Sequence, residues 1–68
     1  MQINVFMERE NKQTKVELDK FSSLKDLLNE LEINPVTVIV TRNDELIPEN
    51  EKLKGNDEIK IMPVISGG

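Results

Sequence analysis

The chemistry-bearing side chains of this chain are few, and that scarcity directs attention to one end. Its 68 residues include no Cys and no His. A thiol nucleophile, an imidazole base, a thiolate zinc site and an iron–sulfur cluster are therefore all excluded. The carboxylates are scattered and form no calcium-loop pattern, so no metal site and no catalytic residue is expected. What stands out is the terminal run Pro63-Val64-Ile65-Ser66-Gly67-Gly68. Two final glycines follow an apolar stretch, an arrangement met by chance in roughly one chain in 200. Glycine buries no side chain and is costly to order. A terminal pair suits a tail that enters a narrow space, where a Cβ would collide. Pro63 lacks an N–H and is expected to mark the point where sheet pairing ends and the tail leaves.

A tail of this kind needs a platform. The opening run Gln2–Met7 alternates, with Ile3, Val5 and Met7 on one face and Gln2, Asn4 and Phe6 on the other. Thr14, Val16 and Leu18 alternate again after a polar turn, which predicts a hairpin. The period then changes. Leu24, Leu27, Leu28 and Leu31 form one helical stripe, and Ser23 followed by Asp26 resembles a capping box. Asn34-Pro35 closes that segment. Val36–Thr41 is almost wholly β-branched and reads as a strand. Asn43-Asp44 predicts a turn, Glu45–Pro48 a short strand, and Leu53 the one apolar anchor of the following loop. Glu58–Val64 reads as the last strand, with Ile59 and Ile61 inward.

Two hairpins around one helix predict an α+β fold: a mixed sheet of four to five strands with a helix across one face, the β-grasp arrangement. The expected core is Ile3, Val5, Val16, Leu18, Leu24, Leu27, Leu28, Leu31, Val38, Val40, Leu46, Leu53, Ile59 and Ile61. One domain is expected over residues 1–63, with 64–68 as a flexible tail. On the opposite sheet face, Phe6, Ile39, Met62 and Val64 form an apolar group among polar neighbours, the expected partner-binding surface, with Ile65 continuing it into the tail.

Net charge is −4. That disfavours direct nucleic-acid binding and favours a partner groove of opposite sign. No signal peptide or membrane span is visible, so a cytoplasmic monomer is expected. The lysines read as solvating charges, or as conjugation sites if the protein forms chains.

A β-grasp pattern of this size ending Ile65-Ser66-Gly67-Gly68 resembles the ubiquitin-like sulfur carriers of the ThiS and MoaD families, a group that also holds small archaeal modifiers and the ubiquitin-related modifier. Asn43-Asp44-Glu45-Leu46-Ile47-Pro48 is similar to the ThiS-type stretch of Asn, two variable residues, two apolar residues and Pro. Leu53 onward resembles the family's Leu-x-x-Gly-Asp pattern with one departure. Gly55 comes one residue early and Asn56 stands where Gly is usual, a position Asn can serve because it tolerates the left-handed conformation.

The resemblance implies a carrier and co-substrate that is not itself an enzyme and binds no cofactor. An activating adenylyltransferase would use ATP to adenylate Gly68. A sulfur-donor enzyme would then convert the terminus to a thiocarboxylate, and an acceptor synthase would draw on it for thiazole, molybdopterin or tRNA thiolation. Two alternatives stand beside it: a protein modifier joined to lysines through Gly68, and a β-grasp binding domain whose tail is never activated.

Overall fold

A computed structural model describes residues 1–64. Among these, five strands form one sheet in the order β2-β1-β5-β3-β4, where β4 is the two-residue strand Glu45–Leu46. Strand β1 (Gln2–Met7) pairs antiparallel with β2 (Lys12–Glu17), setting Ile3 opposite Val16 and Val5 opposite Thr14. A 3₁₀ turn over Glu8–Glu10 joins them, closed by Asn11 at φ 49°. The last strand, β5 (Glu58–Pro63), is central. It runs parallel to β1 and antiparallel to β3 (Val38–Arg42). The fold is the expected α+β arrangement, with a single helix packed on one sheet face.

That helix, α1 (Leu24–Glu30), begins where the Asp26 carboxylate accepts the Ser23 backbone N–H at 2.8 Å and its hydroxyl at 3.2 Å. The N–H bond chiefly holds the Asp26 carboxyl below its usual pKa. Leu24, Leu27 and Leu28 are buried against Ile3, Val5, Val40, Ile59 and Ile61. Leu31 caps the helix, and Glu32 follows in the left-handed region at φ 58°. The β4–β5 loop is stitched to the helix start: the Glu51 carbonyl accepts from the Leu24 N–H, the Glu49 carbonyl accepts from the Lys25 N–H, and the Leu53 N–H donates to the Ser22 carbonyl. Leu53 is buried, as a loop anchor must be. Asn56 takes φ 69°, so asparagine fills the left-handed position and Gly55 does not.

Three expectations are corrected. Leu46 is not in the core: it is 74% exposed. The turn at Asn43 and Asp44, both with positive φ, pairs Thr41 with Leu46. Directly paired residues share a face, so Leu46 joins Thr41 on the side away from α1, and Ile47 packs on the core instead. Strand β3 starts at Val38 and not at Val36. Pro35 and the Asn34 side chain, which accepts the Val36 N–H at 3.0 Å, hold Pro35–Thr37 in a 3₁₀ turn and leave Val36 exposed. Finally, pairing runs one residue past Pro63. Pro63 lies opposite Val38, and the Val64 N–H donates to the Thr37 carbonyl at 3.0 Å. Val16, Leu31 and Val38 are partly exposed residues packed against the core, joined by Met1, Met7 and Ile33.

Candidate docking face and tail exit

The core positions determine what the opposite face carries. Val5, Val40 and Ile61 point toward α1, so alternation turns Phe6, Lys60 and Thr41 outward. The register lines these up in one row across the sheet: Gln13, Phe6, Lys60, Thr41 and Leu46. One step toward the end of β5, Ile39 lies directly opposite Met62. Phe6 and Met62 flank Lys60 on the same face. The expected residues Phe6, Ile39 and Met62 are thus brought together, and Leu46 joins them.

Their exposure is graded. Phe6 and Met62 are half-buried, while Ile39 is 38% exposed. Side chains of this size could all have been screened by polar neighbours, but among the described residues the one ion pair in this region, Lys60 Nζ to Glu8 Oε2 at 3.8 Å, is itself half-exposed. A pair of that kind contributes little to stability. Val64, the fourth expected residue, is exposed at the end of the sheet and borders a cleft shared with Arg9, Ile33 and Pro63. The remaining expected positions, Ile65, Gly67 and Gly68, lie outside the described residues.

The exit of the tail has a geometric cause. The Val64 N–H points to β3, so Met62 points the same way and Ile61 and Pro63 turn toward β1. Strand β1 ends at Met7, whose partner is Ile61. Pro63 therefore lacks its donor on a side where no strand remains to receive it. Val64, the last described residue, lies two positions past Met62 of the apolar group.

Arg42 is a positioning residue that the sequence reading overlooked. Its guanidinium contacts Glu51 Oε2 at 2.7 Å, the Lys52 carbonyl at 3.0 Å and Asp57 Oδ2 at 3.5 Å. The Glu51 hydrogen bond, with the Asp57 charge behind it, pushes the guanidinium pKa further up. Asp57 also accepts the Lys54 N–H at 2.8 Å, so one cation fixes both ends of the loop that feeds β5. An arginine ending a strand of Val, Ile and Thr, followed by an acidic loop, was the available signal. Among the described residues no cluster of three ligating side chains could hold a metal, and no helix is long and apolar enough to cross a membrane.

Known proteins share this arrangement. The family model described as ThiS family matches residues 3–68. The sulfur carrier protein TtuB of Thermus thermophilus is 34% identical over 53 residues, 78% of this chain and 82% of that protein. Crystalline SAMP1 from Haloferax volcanii superposes with a TM-score of 0.78 at 19% identity, covering 100% of both chains. A chain from the complex of subunits 1 and 2 of the molybdopterin-converting factor of Helicobacter pylori gives a TM-score of 0.67 at 24% identity, again over 100% of both.

Proposed function

Because the chain belongs to the ThiS family, we propose that it is a sulfur carrier whose Gly68 carboxylate is activated by adenylation and converted to a thiocarboxylate. The observation that carries this reading is a family match running to the last residue, together with a relative named as a sulfur carrier. A carboxylate is a poor electrophile because its charge is shared by two oxygens. Its oxygen attacks the α-phosphorus of ATP and pyrophosphate leaves. The resulting acyl adenylate has AMP as a good leaving group. A sulfur nucleophile at the sulfide level displaces it directly. A persulfide displaces it too, and a second thiol then releases the thiocarboxylate by forming a disulfide. The chain has no thiol of its own, so the sulfur comes from a partner enzyme.

The face around Phe6, Ile39 and Met62 suits the adenylyltransferase. It lies beside the tail exit, so docking there would deliver the terminus into a nearby active site. Val64 and Ile65 would thread the entrance, and Gly67 and Gly68 would pass where a Cβ could not. Sulfur donor and acceptor enzymes would meet the same tail in turn.

The test is ATP–pyrophosphate exchange with the adenylyltransferase from the same genome. Removing Gly68, or adding one residue after it, should abolish exchange and leave the melting temperature unchanged. Equal exchange by the wild-type and shortened chains refutes the reading. Phe6→Asp should weaken binding at least tenfold in a folded protein, since it places an uncompensated charge in the contact.

A further inference from the structure

We propose that the docking surface continues beyond the apolar group, across Leu46 and into an anionic notch at Glu58 and Asp44, and that the adenylyltransferase seats an apolar ridge followed by an arginine there. This rests on the sulfur-carrier reading and specifies the partner's chemistry.

Two observations meet at this part of the sheet. The first is Leu46. Register places it outward beside Thr41, at 74% exposure, while its neighbour Ile47 takes the core position. The fold needs no leucine on this edge, where a charged residue would guard a two-residue strand better. Leu46 extends the exposed apolar surface from Ile39 toward the β3–β4 turn.

The second is the change of chemistry next to it. A depression of about 420 Å³ opens on the same face, lined by Asn4, Thr41, Asn43, Asp44 and Glu58 at one end and by Phe6 and Lys60 toward the apolar group. Glu58 lies opposite Asn4 on β1, and its carbonyl accepts the Asn43 N–H at 3.2 Å. A carboxylate therefore stands between two carboxamides, with Asp44 next in the turn. Among the described residues, neither Glu58 nor Asp44 has an ion-pair partner, whereas Lys60 is paired with Glu8. The other cation of this face, Lys15, sits across Asn4 on β2. The anionic side of the notch is the side continuous with Leu46.

A guanidinium fits this notch better than an ammonium. Its planar fork can meet a carboxylate in two parallel bonds and leaves donors for flanking amide oxygens. Charge placed at the rim of an apolar contact also steers encounter, so its effect should fade with salt.

The experiment measures KM for this protein in ATP–pyrophosphate exchange with the adenylyltransferase of the same genome. The charge-removing pair Asp44→Asn/Glu58→Gln keeps size and hydrogen bonding, and the pair Asp44→Lys/Glu58→Lys reverses the charge. Leu46→Ser tests the apolar extension, and Lys20→Glu, in the β2–α1 loop, serves as a control. Reversal should raise KM about tenfold or more at low salt, with kcat unchanged and a smaller ratio at high salt. Leu46→Ser should raise KM severalfold with little salt dependence, and Lys20→Glu should leave it within twofold. Melting curves of the charge-removing pair, Leu46→Ser and Lys20→Glu should overlay the wild type, while the reversal pair, with Lys at the left-handed Asp44 position, should melt lower but stay folded at the assay temperature. KM within twofold of wild type for both charge pairs and for Leu46→Ser overturns this inference while leaving the carrier reading intact. A wild-type chain that supports no exchange overturns both.

Discussion

Leu53 and Leu46 look alike in the sequence and should respond oppositely to truncation. Leu53 is 4% exposed and packs in the core cluster, and its N–H donates to Ser22 at 2.9 Å. Its side chain is what holds the β4–β5 loop under α1. Leu53→Ala removes buried methyl groups and leaves a cavity, at a cost of about 2.7–5 kcal/mol. At about 0.05–0.15 kcal/mol per residue, 68 residues give a total stability of about 3–10 kcal/mol. The substitution therefore removes about a quarter of it or more. With ~4–8 °C per kcal/mol for a domain of this size, the melting temperature should fall by roughly 10 °C at least. Leu46→Ala, at a position 74% exposed, should stay within about 0.5 kcal/mol. Urea titrations followed by circular dichroism measure both, with an unchanged m-value as the check that only stability moved. A Leu46→Ala cost above about 2 kcal/mol would refute the register that turns Leu46 outward, and a neutral Leu53→Ala would refute the burial of the loop anchor.

Arg42→Met should cost about 1 kcal/mol, because it removes the cation that bonds the Glu51 carboxylate and a loop carbonyl, both partly open to water, and hydrogen exchange should speed up over residues 49–57. A stability change below about 0.5 kcal/mol would show that the loop does not depend on the guanidinium. Phe21→Asn should stabilise by about 1 kcal/mol, since a bulky residue sits at φ 68° with 82% of its surface exposed, and asparagine tolerates that conformation; a lower denaturation midpoint would contradict this. For Asp26 the folded pKa lies below the unfolded value, so its contribution is present above the ordinary carboxylate range of ~3.9 and lost as pH falls through the folded value. The gap in urea midpoint between wild type and Asp26→Asn should accordingly hold at neutral pH and close below about pH 4; a gap that widens on acidification would reverse the assignment.

Much of the fold was legible because hydrophobic period changes cleanly along the chain. Alternation gave β1 and β2, and the leucine stripe gave α1. The left-handed role of Asn56 could be anticipated from the resemblance, which puts Asn56 where the family has Gly, together with the tolerance of Asn for that conformation. Leu46 could not be placed this way. Leu46 ends a strand of two and apolar Ile47 follows it directly, so one step of register exchanges their faces. Only the turn geometry at Asn43 and Asp44 decides which one enters the core. Arg42 was overlooked for a different reason: its partners lie 9 to 15 positions away, in a loop whose path the pattern does not reveal. The candidate docking face was half legible. Alternation turned Phe6, Ile39 and Met62 outward, but their adjacency depends on β5 inserting between β1 and β3, a pairing of distant segments. The role of the glycine tail rests on the sequence and the family.

The most direct test is the intact mass of the protein purified from its own cells under sulfur-replete growth, read before and after treatment with a thiol alkylating agent. The account predicts a mostly free chain, with a fraction heavier by one oxygen-to-sulfur exchange that takes up a single alkyl group at Gly68, although the chain contains no cysteine. Abundant lysine-linked conjugates bearing a Gly67-Gly68 remnant, with no alkylatable terminus, would contradict it and identify the protein as a modifier.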